Sequence, residues 1–296
     1  MIVDQGSLPL AVVMISYDEA HNMPSVLENL RGFASEVFLV DSYSVDDTVD
    51  IAIANGVHVV QRPFRGFGDQ WNFAMSDLPI TAPWTMKLDP DERLTPALKR
   101  AIACAIERDR SDVFSFPRRL WFMGRPLSVR QDVVRLWRTG TCRFTDSSVN
   151  EHPLVEGRHE RLAAELEHHD SPTLHHWYEK QNRYSTAEAN AAYAGRKLQA
   201  QQPDLFGNGL QRRMWLKAVY HHVPLRHMLM WLYCLVWLGA WRGGRAGWIW
   251  ARMRSEVFRM REIKRLEMTW QGRAYDVPPR VRGAPHPRVP QIDPDS

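Results

Sequence analysis

The chain has 296 residues, 44% of them hydrophobic and 24% charged, with a formal net charge of +4 and 12 tryptophans. That length allows one large domain or two small ones, and the composition excludes wholesale disorder and collagen-like repeats. Three widely spaced cysteines, Cys104, Cys142 and Cys234, exclude a disulfide framework and suit a reducing compartment. Met1 to Leu10 has Asp4 and no basic residue before a short apolar run, so no secretory signal is expected there, and the expected address is cytoplasmic.

The first hundred residues alternate short apolar runs with amphipathic stretches, the pattern of a parallel sheet with crossover helices. Leu10 to Ile15 reads as a buried strand, and Met23 to Leu30 as a helix with Val26, Leu27 and Leu30 on its apolar side. Val37 to Val40 is a second strand, and Asp46 can cap a helix that stops at Asn55-Gly56. Val57 to Val60 is a third strand, Phe67 to Leu78 a helix, Trp84 to Leu88 a fourth strand, and Thr95 caps a helix through Ile106. Shorter strand-like runs follow at Val113–Phe116, Leu120–Met123 and Val133–Trp137, and Ser171-Pro172 signals the start of a long helix reaching toward Gln202.

In open α/β sheets ligands bind outside the carboxyl ends of the strands. Two of the expected strands end there in carboxylates, at Asp41 and at Asp89-Pro90-Asp91-Glu92. Acids one residue apart can share a divalent cation, and a cation bridging two phosphates neutralises a departing diphosphate. Asp-x-Asp alone is a weak signal, and Asp293-Pro294-Asp295 repeats it near the end of the sequence. The position at a strand end is what distinguishes the first.

Four segments then resemble family 2 glycosyltransferases of the GT-A fold. Ile15-Ser16-Tyr17-Asp18-Glu19-Ala20-His21-Asn22-Met23 is similar to the family's opening TYNEExNI, and Val40-Asp41-Ser42-Tyr43-Ser44-Val45-Asp46-Asp47-Thr48 to VDSGSTDGT. Gly66-Phe67-Gly68-Asp69-Gln70-Trp71-Asn72-Phe73-Ala74 matches GFGxQxNxA, and Leu88-Asp89-Pro90-Asp91-Glu92 matches LDADE. Arg135-Leu136-Trp137-Arg138, Val149-Asn150-Glu151 and Tyr178-Glu179-Lys180-Gln181-Asn182-Arg183-Tyr184-Ser185 extend the resemblance to a β-1,4-glucosyltransferase subgroup of lipopolysaccharide-core and exopolysaccharide assembly. It covers roughly residues 10 to 265 and is specific up to Ser185. The chain departs from the pattern at Asp18 for Asn, at Tyr43 and Asp47 for small or glycine positions, and at Asn150 for His. Tyr43 is the costly one if the loop needs positive φ.

The resemblance implies an α/β, GT-A nucleotide-sugar-binding fold with a Rossmann-like, mostly parallel sheet. It implies an inverting hexosyltransferase using a UDP-linked hexose, glucose in this subgroup, with Mg²⁺ or Mn²⁺ as cofactor. Ser16, Glu19, Asp41, Gln70, Asn72 and Asp89 would bind the nucleotide sugar, Asp89 and Asp91 the metal, and Arg135 and His168 would contact the diphosphate or metal. Glu151 would be the base that deprotonates the acceptor hydroxyl. A polyprenyl-phosphate hexosyltransferase, and a non-catalytic membrane-surface adaptor that kept the fold, are the alternatives. The pairs His168-His169 and His175-His176 do not have structural zinc spacing and no cysteine is near, so no zinc site is expected.

From Leu210 to Arg265 twelve Lys/Arg face two acidic residues, a net +10 that leaves −6 for the rest, and six of the 12 tryptophans lie there. Met228 to Trp241 carries no charge but is too short to span a bilayer, which takes about 20 residues. With flanking arginines and tryptophans it reads as an interfacial helix on an anionic membrane surface, and nucleic acid is not an expected partner. The expected organisation is a catalytic domain over 1–205, a basic, Trp-rich, membrane-associating helical extension over 206–271, and a flexible Pro-rich tail over 272–296. The expected partners are a nucleotide sugar and a lipid-linked saccharide, at the inner face of the cytoplasmic membrane.

Overall fold

A computed structural model describes residues 7–145, 151–194, 223–276 and 282–290, with isolated positions between 204 and 219. Contacts divide the chain into two units. The first comprises Met1–Arg119, Gln131–His169 and Pro279–Ser296, and the second Leu120–Arg130 and Asp170–Pro278.

The first unit follows the expected alternation: β1 (Leu8–Ser16), α1 (Met23–Leu30), β2 (Ala34–Asp41), α2 (Thr48–Ala54), β3 (His58–Gln61), α3 (Phe67–Ser76) and β4 (Trp84–Lys87). A short β5 (Glu92–Leu94) precedes α4 (Pro96–Arg108), which Thr95 caps by accepting the Leu98 amide. Then come β6 (Val113–Phe122), β7 (Arg125–Arg138), β8 (Cys142–Phe144), β9 (Pro153–Val155), β10 (His159–Arg161) and β11 (Leu166–His169). The main sheet runs β3-β2-β1-β4-β7-β6-β11-β5 among the described residues, parallel from β3 to β4 and antiparallel at β4–β7 and β11–β5. This is the α/β, mostly parallel architecture that the resemblance implied.

Residues alternate sides along a strand, so β1 feeds two cores. Leu10, Val12 and Met14 pack with α1, α2 and α4 residues such as Val26, Val49 and Leu98; Ala11 and Val13 pack with Trp71 and Ala74 of α3 and with Phe144. Burial on both faces is why β1 reads as an unbroken apolar run. The strand-like runs after Asp112 are in fact the two arms of one long hairpin, β6 and β7. Met123 (φ +52) and Gly124 (φ +68) form its turn, both left-handed as a two-residue type I′ turn requires. No Asn-Gly or Asp-Gly marks that turn in the sequence.

The second unit holds α5 (Leu174–Tyr193), whose cap is Thr173 where Ser171 was expected, and residues 195–203 of the anticipated helix lie outside the described residues. The uncharged stretch Met228–Trp241 is not one helix. α6 (Arg226–Leu232) passes into a π-helical turn (Tyr233–Trp237), Gly239 takes φ +70, and a 3-10 turn (Ala240–Gly243) leads into α7 (Gly244–Gln271). The break buries Cys234, Leu235 and Ala240 with Trp177, Trp250 and Val257 and leaves Val236 and Trp237 outward. The run Tyr178–Ser185, singled out by its family resemblance, lies on α5 and serves this packing: Lys264 of α7 donates to the Asn182 carbonyl (3.0 Å) and to Ser185 Oγ (2.9 Å). No helix among the described residues is long and apolar enough to cross a membrane.

Gly247 on α7 approaches the backbone of the 3-10 turn so closely that a Cβ there would stand 1.8 Å from the Ala240 carbonyl oxygen. Gly247→Ala is expected to destabilise the second unit by about 1–3 kcal/mol, since a backbone atom and not a flexible side chain must yield. Chemical denaturation followed by tryptophan fluorescence measures it.

Candidate active site

The strand order 3-2-1-4 places the topological switch between β1 and β4, whose carboxyl ends lie side by side: Val13 pairs with Lys87, and the Leu88 amide donates to the Val13 carbonyl at 3.1 Å. Chain connections leave in opposite directions there, which opens a crevice. Two loops flank β1 at this edge, 17–22 and 42–48, and the acidic turn 88–92 follows β4.

The first two loops are stitched together. Asp18 N donates to Ser44 Oγ (2.9 Å), Glu19 N to Thr48 Oγ1 (2.8 Å), Ala20 N to Asp46 Oδ2 (3.0 Å), and Val45 N to Asp18 Oδ1 (2.9 Å). Asp18 and Tyr43 both sit at positive φ, +57° and +60°. Aspartate tolerates this region, whereas tyrosine meets a steric cost of roughly 1–2 kcal/mol that the surrounding bonds must offset. Asp47, the other departure from the family pattern, has φ −74° and no such cost.

At the bottom of these loops Asp41 is fully buried. It accepts from Ser16 Oγ (2.8 Å), the Ser44 amide (2.9 Å), Ser44 Oγ (2.5 Å) and Gln61 Nε2 (2.8 Å). A carboxylate so enclosed holds the loop, and Ser16 is tied to it from the end of β1. Two residues of α3 are also held by the interior. Gln70 is buried between Arg62 Nη1 (3.0 Å) and Ser42 Oγ (3.3 Å), and Asn72 brackets Phe144 by donating to its carbonyl (3.1 Å) and accepting its amide (2.8 Å). Buried polar groups need partners, and here the interior supplies them. Glu19 is half-buried, with Oε2 accepting from Asn22 Nδ2 (2.8 Å) at the crevice edge.

The acidic turn is built around Glu92, which has no exposed surface. Its Oε2 accepts the Asp89 amide (3.0 Å), and its Oε1 takes Arg135 Nη2 (2.6 Å) and Arg118 Nη1 (3.2 Å). The same Arg135 Nη2 reaches Asp89 Oδ2 at 2.7 Å. Burial pushes the Asp89 carboxyl up, but the charges of Arg135 and Lys87 outweigh it and hold it below the usual carboxylate range. Burial alone would lower the Arg135 guanidinium, and Asp89 and Glu92 together raise it instead. Arg93 ties the turn to loop 17–22 by donating to the Pro90 and Asn22 carbonyls (2.6 and 3.2 Å). Arg138 is turned away, toward Asp112 at 3.7 Å.

β11 pairs with β5 in the register His168↔Glu92, which carries His168 to Asp91: Nε2 stands 3.3 Å from Asp91 Oδ2, and the His169 amide bonds the Asp91 carbonyl at 2.8 Å. Adjacent ligands of a six-coordinate ion at about 2.1 Å are roughly 3 Å apart, so this pair fits two sites on one divalent cation. Asp89, expected as a second ligand, is engaged by Arg135.

Glu151 meets the end of β4. Its Oε1 lies 2.6 Å from Lys87 Nζ, and the ammonium also stands over the Trp71 ring at 4.2 Å and the Phe144 ring at 5.2 Å. Val149 and Asn150 lie outside the described residues. Sequence reasoning passed over Lys87, Arg93 and Arg118, and read Glu92 only as part of the acidic strand end. Lys87 and Glu92 flank the Asp-x-Asp, and a charged residue closing a buried strand was the available signal.

A family model described as glycosyl transferase family 2 matches residues 11–162. The lipopolysaccharide core biosynthesis glycosyltransferase LpsC of Rhizobium meliloti is 29% identical over 195 residues, 62% of this chain and 71% of that protein. An uncharacterized glycosyltransferase of Rickettsia felis is 32% identical over 93 residues, 31% of this chain and 32% of that one. The chain thus spans about a third of the length of the Rickettsia relatives it matches. Among solved structures, S. aureus TarS 1-349 aligns with a TM-score of 0.41 at 16% identity, covering 90% of this chain and 92% of that one. Glucosyl-3-phosphoglycerate synthase from Mycobacterium tuberculosis, in complex with Mn²⁺, UDP and glucosyl-3-phosphoglycerate, aligns at 0.31 and 21%, covering 37% and 44%.

Arg135→Met is expected to destabilise the fold by about 3–5 kcal/mol at neutral pH, because it strands Glu92 in the interior. Asp89 has a lowered folded-state value, so its pairing contributes fully above the ordinary carboxylate value of 3.8 and is lost as pH falls through the lowered one. The gap between wild type and variant in urea melts should therefore narrow in acid.

Proposed function

Because this chain belongs to glycosyl transferase family 2, we propose that it transfers a hexose from a UDP-sugar, with inversion, to a lipid-linked saccharide acceptor in lipopolysaccharide core assembly. The observation that carries this reading is the convergence on the end of β4 of Asp89 with Arg135, Asp91 with His168, and Glu151 with Lys87. The likeness to LpsC supports the pathway, and the subgroup resemblance supports glucose as the hexose.

In this reading Glu151 accepts the proton of the acceptor hydroxyl. The oxygen bonds to the anomeric carbon on the face opposite the diphosphate, and the bond from that carbon to the diphosphate oxygen breaks. Lys87 holds the Glu151 carboxylate at the strand end. Asp91 and His168 would hold the divalent cation; when bound, that cation supplies charge neutralisation to the leaving diphosphate. Glu19 and Asp89 line the nucleotide side, and Asp41, Ser16, Gln70 and Asn72 act through the loops and strands they hold.

A hydroxyl acceptor needs a base and a phosphate acceptor does not, which separates this reading from the polyprenyl-phosphate alternative. Glu151→Gln should lower turnover by about 10²-fold or more while leaving UDP binding intact. A loss under about threefold would favour the phosphate acceptor. For Asp91→Ala, calorimetry should show that the Mn²⁺-dependent part of UDP binding is gone; equal heats with and without Mn²⁺ in the wild type would overturn the metal assignment and favour a non-catalytic adaptor.

We further assign the outward residues of 228–248 to an anionic membrane face. Trp237 is 80% exposed, and Val236, Tyr233, Trp241 and Trp248 are also outward, with Arg242 and Arg245 in the same stretch and Arg252 just beyond it. This would place the protein peripherally on the inner face of the cytoplasmic membrane. A Trp237→Ala, Trp241→Ala double variant should float poorly with phosphatidylglycerol liposomes; flotation equal to wild type would remove the assignment.

A further inference from the structure

The Pro-rich tail was expected to be extended and mobile, yet residues 282–290 are docked on the first unit at the loop that follows β2. Gly283 N donates to the Tyr43 carbonyl at 2.9 Å. A Cβ at Gly283 would stand 2.4 Å from the Ser44 carbonyl oxygen, so this slot admits glycine and no larger residue. The His286 amide donates to Gln61 Oε1 (2.8 Å), while the same Gln61 donates through Nε2 to Asp41 Oδ2 (2.8 Å) and through its amide to the Pro290 carbonyl (3.3 Å). His286 Nε2 and Arg288 Nη2 both reach Asp50 Oδ1 on α2 (3.2 and 3.0 Å), and Val289 is buried in the core beneath.

These contacts bear on the part of the loop that is hardest to hold. Tyr43 has the left-handed φ that a tyrosine resists, and Gly283 binds its carbonyl. Ser44 is the residue that both bonds Asp41 and walls the Gly283 slot. Gln61 passes the constraint on, since one end of its amide faces the tail and the other faces the buried carboxylate at the root of the loop. Strained backbone persists only where its surroundings over-determine it, and here the tail supplies part of that determination.

We propose that residues 282–290 form a strap that holds loop 42–48 in its nucleotide-receptive shape, with Gly283 and Gln61 as positioning residues for donor binding. The strap makes donor affinity depend on a segment more than two hundred residues downstream of the loop. It has no part in the chemical step. The inference rests on loop 42–48 being the nucleotide loop of the proposed transferase.

Three variants test it: Gly283→Val, a chain truncated after residue 281, and Asp50→Ala. Asp50 is an exposed side chain (58%) whose loss removes two anchors without entering the core. UDP affinity with Mn²⁺, donor KM, kcat and melting temperature are measured for each. Gly283→Val and the truncation should weaken UDP binding and raise donor KM by about tenfold with kcat within about twofold, and Asp50→Ala should do so by about threefold. A peptide of residues 282–290 added in trans should restore UDP affinity to the truncated chain, which a folding defect would not allow. Wild-type UDP affinity and KM in all three variants would overturn the strap while leaving the donor loop standing. A wild-type protein that binds no UDP would instead overturn the reading of the loop itself, and the strap with it.

Discussion

Glu92 is a carboxylate with no access to water, and the site depends on how it is satisfied. An ion taken into the interior is tolerable only when its oxygens are matched by donors. Arg135, Arg118 and the Asp89 amide supply them. Those three come from β7, β6 and the turn itself, so satisfying Glu92 locks the antiparallel arm of the sheet to the end of β4. Arg135 then has a charge to share with Asp89, and Asp91 is left facing the opposite way, toward β11 and His168. One buried charge thereby sorts the acids of a five-residue turn into different tasks.

Asp41 repeats the principle on the other side of β1. Four donors surround it, and through them the two loops after β1 and β2 become one stitched surface. The carboxylates nearest the crevice, Glu19, Asp89, Asp91 and Glu151, each keep a link to something rigid: Asn22, Arg135, His168 and Lys87. Side chains held this way lose little freedom when a ligand arrives, which is how a scaffold turns stability into preorganisation.

The second unit solves a different problem. Its uncharged stretch is broken by a π-helical turn and a left-handed glycine, so the small residues Cys234 and Ala240 turn inward while Trp237 turns out. An unbroken helix would have presented a continuous stripe. The break decides which aromatic residues cover the core and which are left exposed. It also explains the glycine at 247, where a helix passes within contact of a neighbouring backbone.

Much of this was legible in the sequence. The β-α-β alternation follows from periodicity, since each parallel strand must be apolar on both faces and each helix on one. The placement of Asp41 and of Asp89-Pro90-Asp91 at strand ends follows from where apolar runs stop. The strain at residue 43 was visible as a tyrosine where glycine is usual. What the sequence could not contain was which polar groups meet across the sheet. Glu92 with Arg135, Glu151 with Lys87, and His168 with Asp91 are separated by 43, 64 and 77 positions, and Gly283 with Tyr43 by far more. Nothing local distinguishes an aspartate that will be sealed beneath a loop from one that will face a crevice, because both sit at the same kind of strand end. Solvent access and long-range partners make that difference, and those exist only once the strands have paired in register and the tail has docked.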